Sequence, residues 1–286
     1  MSPRTTTVRT AALTAVVGLA LAACGSGGSG GSGGSATPGA SAPAGGEDTS
    51  LADVQEAGVL TVGTEGTYRP FSFHEDGSGD LTGFDVEIIQ AVGEELGVEV
   101  EFSETQWDAI FAGLDAGRFD VIANQVSITP ERESAYTFSE PYTYSTGVVV
   151  VAAGNDAIGS FEDLAGKRTA QSLTSNWYAL AEEAGASIEA VEGWAQSVSL
   201  VEQGRVDATI NDKLTFLDYQ QQTGAENLEV AVETEDESRS AFAMRQGSDA
   251  LAQAIDEALA ALAADGTLAE ISDTYFGADV TVTAQG

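Results

Sequence analysis

From Val59 to Gln125 the apolar positions change period several times. VLTVGT (Val59–Thr64) is a short, mostly apolar run of the kind a buried strand makes. FDVEIIQAVGEELG (Phe84–Gly97) places Val86, Ile89, Val92 and Leu96 on one helical face, with Asp85 as the expected N-cap. VEVEFSE (Val98–Glu104) alternates as a strand does. WDAIFAGLDAG (Trp107–Gly117) reads as a helix stopped by glycine, and FDVIANQV (Phe119–Val126) reads as the next strand. This β-α-β order predicts an α/β fold with a parallel or mostly parallel sheet and helices on its faces. Ligands of such sheets gather at the carboxyl ends of the strands.

TGVVVVAA (Thr146–Ala153) is a further apolar strand, and beyond it the pattern restarts. FEDLAGKRTAQSLTSNWYALAEEAG (residues 161–185) contains a helical turn, a strand and a helix, which suggests a second lobe. A faint repeat joins the halves. Trp107, Arg118 and Asp120 recur in spacing as Trp194, Arg205 and Asp207, with a glycine before each arginine. The repeat sets Asn124 against Asn211 and Gln125 against Asp212, at strand ends where a ligand would sit. It reads either as a shared architecture of two lobes or as coincidence.

The N-terminus belongs to no fold. Arg4 and Arg9 precede an apolar run, Ala11–Ala22, that is too short for a bilayer, and Leu21-Ala22-Ala23 leads into Cys24. Residues 1–23 therefore read as a secretory signal, and Leu-Ala-Ala-Cys resembles a bacterial lipoprotein box in which Cys24 is lipidated. The alternative is a plain secreted protein with an incidental cysteine. Gly25–Gly46 holds only Gly, Ser, Ala, Pro and Thr, a flexible tether spanning roughly 25 Å. Cys24 is the only cysteine, so the body is expected to have no disulfide, Cys-ligated metal or thiol nucleophile. The chain carries 11 Lys+Arg against 45 Asp+Glu, a net charge of −34, which disfavours nucleic acid as a partner. The acidity fits solubility or a salty surrounding.

In this acidic chain one arginine stands out. Thr129 and Pro130 are a good N-cap and first helical residue, so Arg132 lies beside free N–H groups that favour an anion. Its planar fork suits a carboxylate, although a surface pair with Glu131 or Glu133 is the alternative. SLTSNW (Ser172–Trp177) opens another helix and offers Ser175 and Asn176, or is an ordinary cap. Asp212 could accept hydrogen bonds from an ammonium group, cap its own helix, or do both. Tyr68 and Trp107 either line an apolar slot or pack in the core. His74, the single histidine, has no companion for a metal site and reads as a loop residue.

Together GTEGTYRPFSF, LTGFDVEIIQAVGEELG, DVIANQVSITPER, DLAGKRTAQSLTSNW and DGTLAEISDTYFGADVT resemble the extracellular solute-binding proteins for polar amino acids that serve ABC importers. The resemblance covers about Leu60 to Thr281. It implies a periplasmic-binding-protein-like type II fold of two lobes, about 49–145 with 240–286 and 146–239, joined by two crossing strands and following a tether at 24–48. It implies that Arg132, assisted by Ser127 and the helix start at Ser175 and Asn176, binds an α-carboxylate, and that Asp212 binds the α-ammonium. Tyr68 and Trp107 would flank the ligand side chain. Asn124-Gln125 stands where many relatives carry small hydroxyl residues or glycine, which leaves selectivity open, and SLTSNW and FGADVT look most like the cystine-binding branch. The implied partners are a free amino acid, an importer permease and its ATPase, with a membrane reached by the lipid anchor alone. No cofactor and no metal are implied, and the protein is expected to be a monomer. Other readings are an enzyme of the same fold such as a cyclohexadienyl dehydratase, with Glu65 or Asp212 as its acid, and a ligand-sensing domain.

Overall fold

The computed structural model describes residues 47–282. The expected leader (1–23), Cys24 and nearly all of the tether (24–48) lie outside the described residues. Asp48 already belongs to the body: its carboxylate accepts the Ser50 and Ala250 N–H groups.

The elements run α1 (Ser50–Ala57), β1 (Val59–Thr64), β2 (Thr67–Tyr68), β3 (Ser72–His74), β4 (Leu81–Thr82), α2 (Phe84–Leu96), β5 (Glu99–Glu104), α3 (Trp107–Asp115), β6 (Val121–Ser127), α4 (Pro130–Glu133), β7 (Tyr136–Phe138) and β8 (Thr143–Ala152). They continue with β9 (Arg168–Gln171), α5 (Asn176–Glu183), β10 (Ser187–Ala190), α6 (Trp194–Glu202), β11 (Ala208–Asp212), α7 (Lys213–Thr223), β12 (Leu228–Arg245), α8 (Asp249–Asp265) and α9 (Thr267–Phe276).

The strands join in the order β10-β9-β11-β8-β12-β6-β1-β5, with β7 paired to β12, and β2, β3 and β4 form a small separate sheet. Pairs β1–β5, β1–β6, β9–β10 and β9–β11 are parallel. Strands β8 and β12 pair antiparallel with each other and with their neighbours, so the sheet is mixed and not mostly parallel. These two long strands tie the two lobes together. The β12–β8 register shifts between Val230 and Val232 and again between Glu233 and Glu237.

Both lobes cover both faces of their strands, which is why β6 and β8 lack polar alternation. Val148 and Val150 pack toward α6 and α7, whereas Val149 and Val151 pack toward α5. In the other lobe Val121 and Ala123 face α2 and α8, while Ile122 and Val126 face α3. β12 behaves differently. Only Leu228 and the run Ser240–Met244 are buried, and Glu233, Glu235, Asp236 and Glu237 are exposed, because this stretch crosses from one lobe to the other.

Asp85 is not the N-cap of α2. Gly83 holds that position with φ 131°, where an added Cβ would collide with the Phe71 carbonyl. Asp85 lies in the first turn, fully buried, and accepts the Gln125 backbone N–H and side-chain amide. His74 likewise ends β3 and pairs with Glu104 at 3.0 Å, so it is a strand residue with a partner.

Candidate functional site

The carboxyl ends of β1 and β6 in one lobe face those of β9 and β11 in the other across a cavity of about 430 Å³. Tyr68, Trp107, Asn124 and Gln125 line it from one side, and Ser175 and Asn176 from the other. The cleft is bridged by direct bonds. The Tyr68 hydroxyl donates to Asn211 Oδ1 at 2.9 Å and lies 3.0 Å from the Thr215 hydroxyl. Gln106 Nε2 donates to Glu192 at 3.0 Å, and Arg69 sits 3.7 Å from the Asp218 carboxylate. Thr174 is held three ways: its N–H and hydroxyl donate to Asp108, and its carbonyl accepts Arg132 Nη2 at 3.1 Å.

Arg132 is capped into α4 by Thr129, as the Thr-Pro step predicts. Its side chain folds back so that Nη1 donates to the Ser127 carbonyl at 2.9 Å. The guanidinium carbon lies 5.4 Å from the Trp107 ring centre and 5.2 Å from that of Phe111. The residue is only 9% exposed, and among the described residues no carboxylate forms an ion pair with it. Burial pulls its pKa down to about 10, as expected for a cation stripped of water without a counter-ion. The surface pair with Glu131 or Glu133 does not form. Arg132 itself lines a neighbouring hollow that shares Ser175 and Asn176 with the cavity.

Ser175 is the N-cap of α5: its hydroxyl accepts the Tyr178 N–H and donates to the Ser172 carbonyl. Asn176 is the first helical residue beside it. Ser127 meets Arg132 through its carbonyl, and its hydroxyl accepts a long bond of 3.4 Å from Ser238. Asp212 caps α7 through the Leu214 N–H and accepts the Ser145 hydroxyl at 2.7 Å, both on Oδ1. It stands behind the cavity wall that Asn211 supplies. Burial raises its carboxyl pKa to about 6, opposed by those two hydrogen bonds.

Two other acids, half-buried Glu65 and fully buried Asp85, lie nearby without a basic partner among the described residues. Glu65 lines the cavity. Burial raises it to about 7 against the hydrogen bond from Asn124 Nδ2, at 2.6 Å, and one from the Trp107 backbone N–H. Asp85 rises to about 7 for the same reason, against its bonds to Gln125. Gln125 adopts a left-handed φ of 49°, a conformation that costs a non-glycine residue about 1–3 kcal/mol. Asp85 and the Thr143 hydroxyl, 3.0 Å from Gln125 Nε2, hold it there.

Of the residues marked in the sequence, Tyr68, Trp107, Asn124, Gln125, Ser175 and Asn176 meet at the cavity, while Ser127, Arg132 and Asp212 stand one layer back. Sequence reasoning did not single out Thr174 or Asp108, although Thr174 lies inside SLTSNW and Asp108 directly follows Trp107. It also missed Gln171, the last residue of β9, whose buried Nε2 has no hydrogen-bond partner.

Two α/β lobes on a pair of crossing strands, with buried unpaired charges of both signs at their junction, define a protein that clamps a small polar solute. Residues 60–278 match the bacterial extracellular solute-binding proteins, family 3, and the chain belongs to that family. It is 54% identical over 228 residues to the "Probable amino-acid ABC transporter-binding protein" of Haemophilus influenzae, covering 80% of this chain and 88% of that one. It is 47% identical over 270 residues to the L-cystine-binding protein TcyA of Bacillus subtilis, covering 94% and 97%. Among solved structures it resembles the L-cystine solute receptor of Neisseria gonorrhoeae in the unliganded open conformation, with 44% identity, 82% and 99% coverage and a TM-score of 0.55. A score that low beside that identity fits lobes that are bridged here and apart there. No helix among the described residues is long and apolar enough to cross a membrane.

Proposed function

We propose that the protein captures a free amino acid between its lobes and delivers it to the permease and ATPase of an ABC importer. Cys24 would carry the lipid anchor after removal of residues 1–23, with residues 24–48 as the tether. The first lobe would comprise 49–145 and 240–286 and the second 146–239. The protein acts by binding, as a monomer on the outer side of the membrane, and its cycle has no catalytic step.

Arg132 carries this reading. A buried guanidinium with no acidic partner, between two aromatic rings and beside a helix N-terminus, is built for an incoming carboxylate. Ser127 and the α5 start at Ser175 and Asn176 would complete that anchor. Asp212, through its Oδ2, would take the α-ammonium. Tyr68 and Trp107 would close on the side chain, over the floor formed by Asn124 and Gln125. The two cystine-binding relatives support L-cystine as the ligand to try first.

The test is a thermal-melt screen of residues 47–286 against the amino acids, before and after unfolding and refolding to remove carried ligand. Ligand at about 100 times its dissociation constant adds roughly 2.7 kcal/mol, which at this size lifts the melting point by roughly 5–10 °C. Such a rise with one or two amino acids supports the reading. A flat result across all of them, after refolding, sinks it.

A further inference from the structure

Strand β8 carries the chain from one lobe to the other, and two hydroxyl side chains sit at the crossing. Thr143 and Ser145 are two residues apart and so project from the same face of the strand. Each holds a residue of the candidate site. The Thr143 hydroxyl accepts Gln125 Nε2 at 3.0 Å, at the end of β6, and the Ser145 hydroxyl donates to Asp212 Oδ1 at 2.7 Å, at the end of β11. The register of β8 against β12 is regular from Thr143 to Thr146 and slips directly beyond, between Glu233 and Glu237. There the Gly147 N–H donates to a side chain, the Thr234 hydroxyl, at 2.9 Å. Ser145 therefore stands at the edge of the irregular segment where the two strands pass between the lobes.

Asp212 needs such a partner for a chemical reason. It is 5% exposed, and among the described residues no basic side chain forms an ion pair with it. Its two hydrogen bonds, from Ser145 and from the Leu214 N–H, both end on Oδ1, and Oδ2 accepts none among the described residues. The Leu214 bond is local, an N-cap that moves with α7. The Ser145 bond comes from a separate element, 67 residues away in the chain. A hydroxyl donating to a carboxylate also favours its charged form. Here it opposes the burial that raises the Asp212 carboxyl to about 6. Ser145 thus serves an incoming ammonium twice, by leaving one oxygen open to it and by preserving the charge it needs.

We propose that Ser145 is a positioning residue for the amine end of the ligand: from the crossing strand it orients the Asp212 carboxylate so that Oδ2 is free for the α-ammonium. This rests on the amino-acid-binding reading above, in which Asp212 takes that group. It goes further by making amine recognition depend on a residue of the interlobe crossing that does not itself touch the ligand. The other ionisable groups near Asp212 are Tyr68 and Asp85, each pushed up in part by its charge, and Lys213, whose ammonium is held by Glu233.

The experiment is calorimetry of residues 47–286 from about pH 4.5 to about pH 7.5, either side of the Asp212 value, with L-cystine or the amino acid that gives the largest shift in the melt screen. Wild type, Ser145→Ala, Ser145→Thr, Asp212→Asn and the double variant Ser145→Ala/Asp212→Asn are compared. Wild-type affinity should fall as pH drops through about 6, where Asp212 takes up a proton. Ser145→Ala should weaken binding at neutral pH by about 10-fold and move the midpoint of that fall up by about one pH unit, because the carboxylate loses a donor to its charged form. Ser145→Thr keeps the hydroxyl and should keep both. Glu65 and Asp85 titrate in the same range but alike in every variant, so the shift between profiles is the readout. Ser145→Ala added to Asp212→Asn should cost nothing further. A loss with an unmoved midpoint, or one that adds in full to that of Asp212→Asn, would show that Ser145 only supports the strand and would overturn the proposal. No loss at all would do the same. If Asp212→Asn binds as the wild type does, the ammonium assignment itself is wrong, and the proposal falls with it.

Discussion

The two lobes share a frame and differ at its tip. In each, a helix starts at tryptophan (Trp107, Trp194), passes a left-handed glycine (Gly117 at φ 66°, Gly204 at φ 65°) and reaches an aspartate that ties the next strand to its neighbour. Asp120 donates its N–H to the Thr61 carbonyl and accepts the Thr61 N–H, and Asp207 does the same with Arg168. Four residues further on the lobes part. The first ends in Asn124-Gln125, whose amides hold two acids of their own lobe, Glu65 and Asp85. The second ends in Asn211-Asp212, where the acid is in the strand itself and caps the following helix. These reciprocal bonds, one from the aspartate N–H and one to its carboxylate, fix where each strand lies. The side chains at that end are then free to differ, and there the two lobes take separate chemical parts.

Breaking the division of labour gives the largest effects. Arg132→Ala should weaken amino-acid binding by about 100-fold or more, because it leaves a bound carboxylate buried without its partner. Calorimetry reads the loss, and circular dichroism should show the lobes still folded. Asp212→Asn should weaken binding by about 10- to 100-fold while keeping α7, since asparagine is as good an N-cap. Unchanged affinity in either variant would remove that residue from the site.

A pH titration sharpens the comparison of the buried acids. Glu65 and Asp85 at about 7 and Asp212 at about 6 lie above the unfolded values near 4. Between those limits the folded state binds more protons than the unfolded one, so stability falls as pH rises through about 4 to 7. The ligand-free body should therefore melt several degrees higher near pH 5 than at pH 8. Asp85→Asn should flatten the curve, and a melting point that rises with pH would contradict these environments. The smallest effects test the shared frame. Asp120→Ala should cost about 1–3 kcal/mol in denaturant unfolding and the more exposed Asp207→Ala about 0.5–1.5 kcal/mol, with ligand affinity unchanged in both.

Much of this was legible from local pattern. VLTVGT is β1 end to end, the helix at Trp107 and the repeat it opens are both present, and the Thr-Pro step does start α4. What escaped was set by partners distant in sequence. Asp85 looks like a cap because acids favour helix starts, yet its partner lies 40 residues away in Gln125. Strand β12 carries no readable period, since its middle crosses between lobes in solvent while its C-terminal run, Ser240–Met244, is buried on both faces. Its antiparallel return is also why the sheet is mixed. Arg132 could be picked out as a lone cation, but that its fork would reach the Thr174 carbonyl follows only from the closeness of the lobes.

That bond to Thr174, with the two that Thr174 gives to Asp108, means that the lobes attract each other through groups of their own. The closed form then has a population that the chain sets for itself, and the affinity a ligand experiences is its intrinsic affinity scaled by that population. A firmer latch would hold the ligand longer and release it more slowly. A weaker one would lose it before it could be handed on. Because Asp108 is exposed at the cleft edge, a protein docking across both lobes could compete for it directly, and so exchange a tight hold on the solute for a loose one without touching the solute.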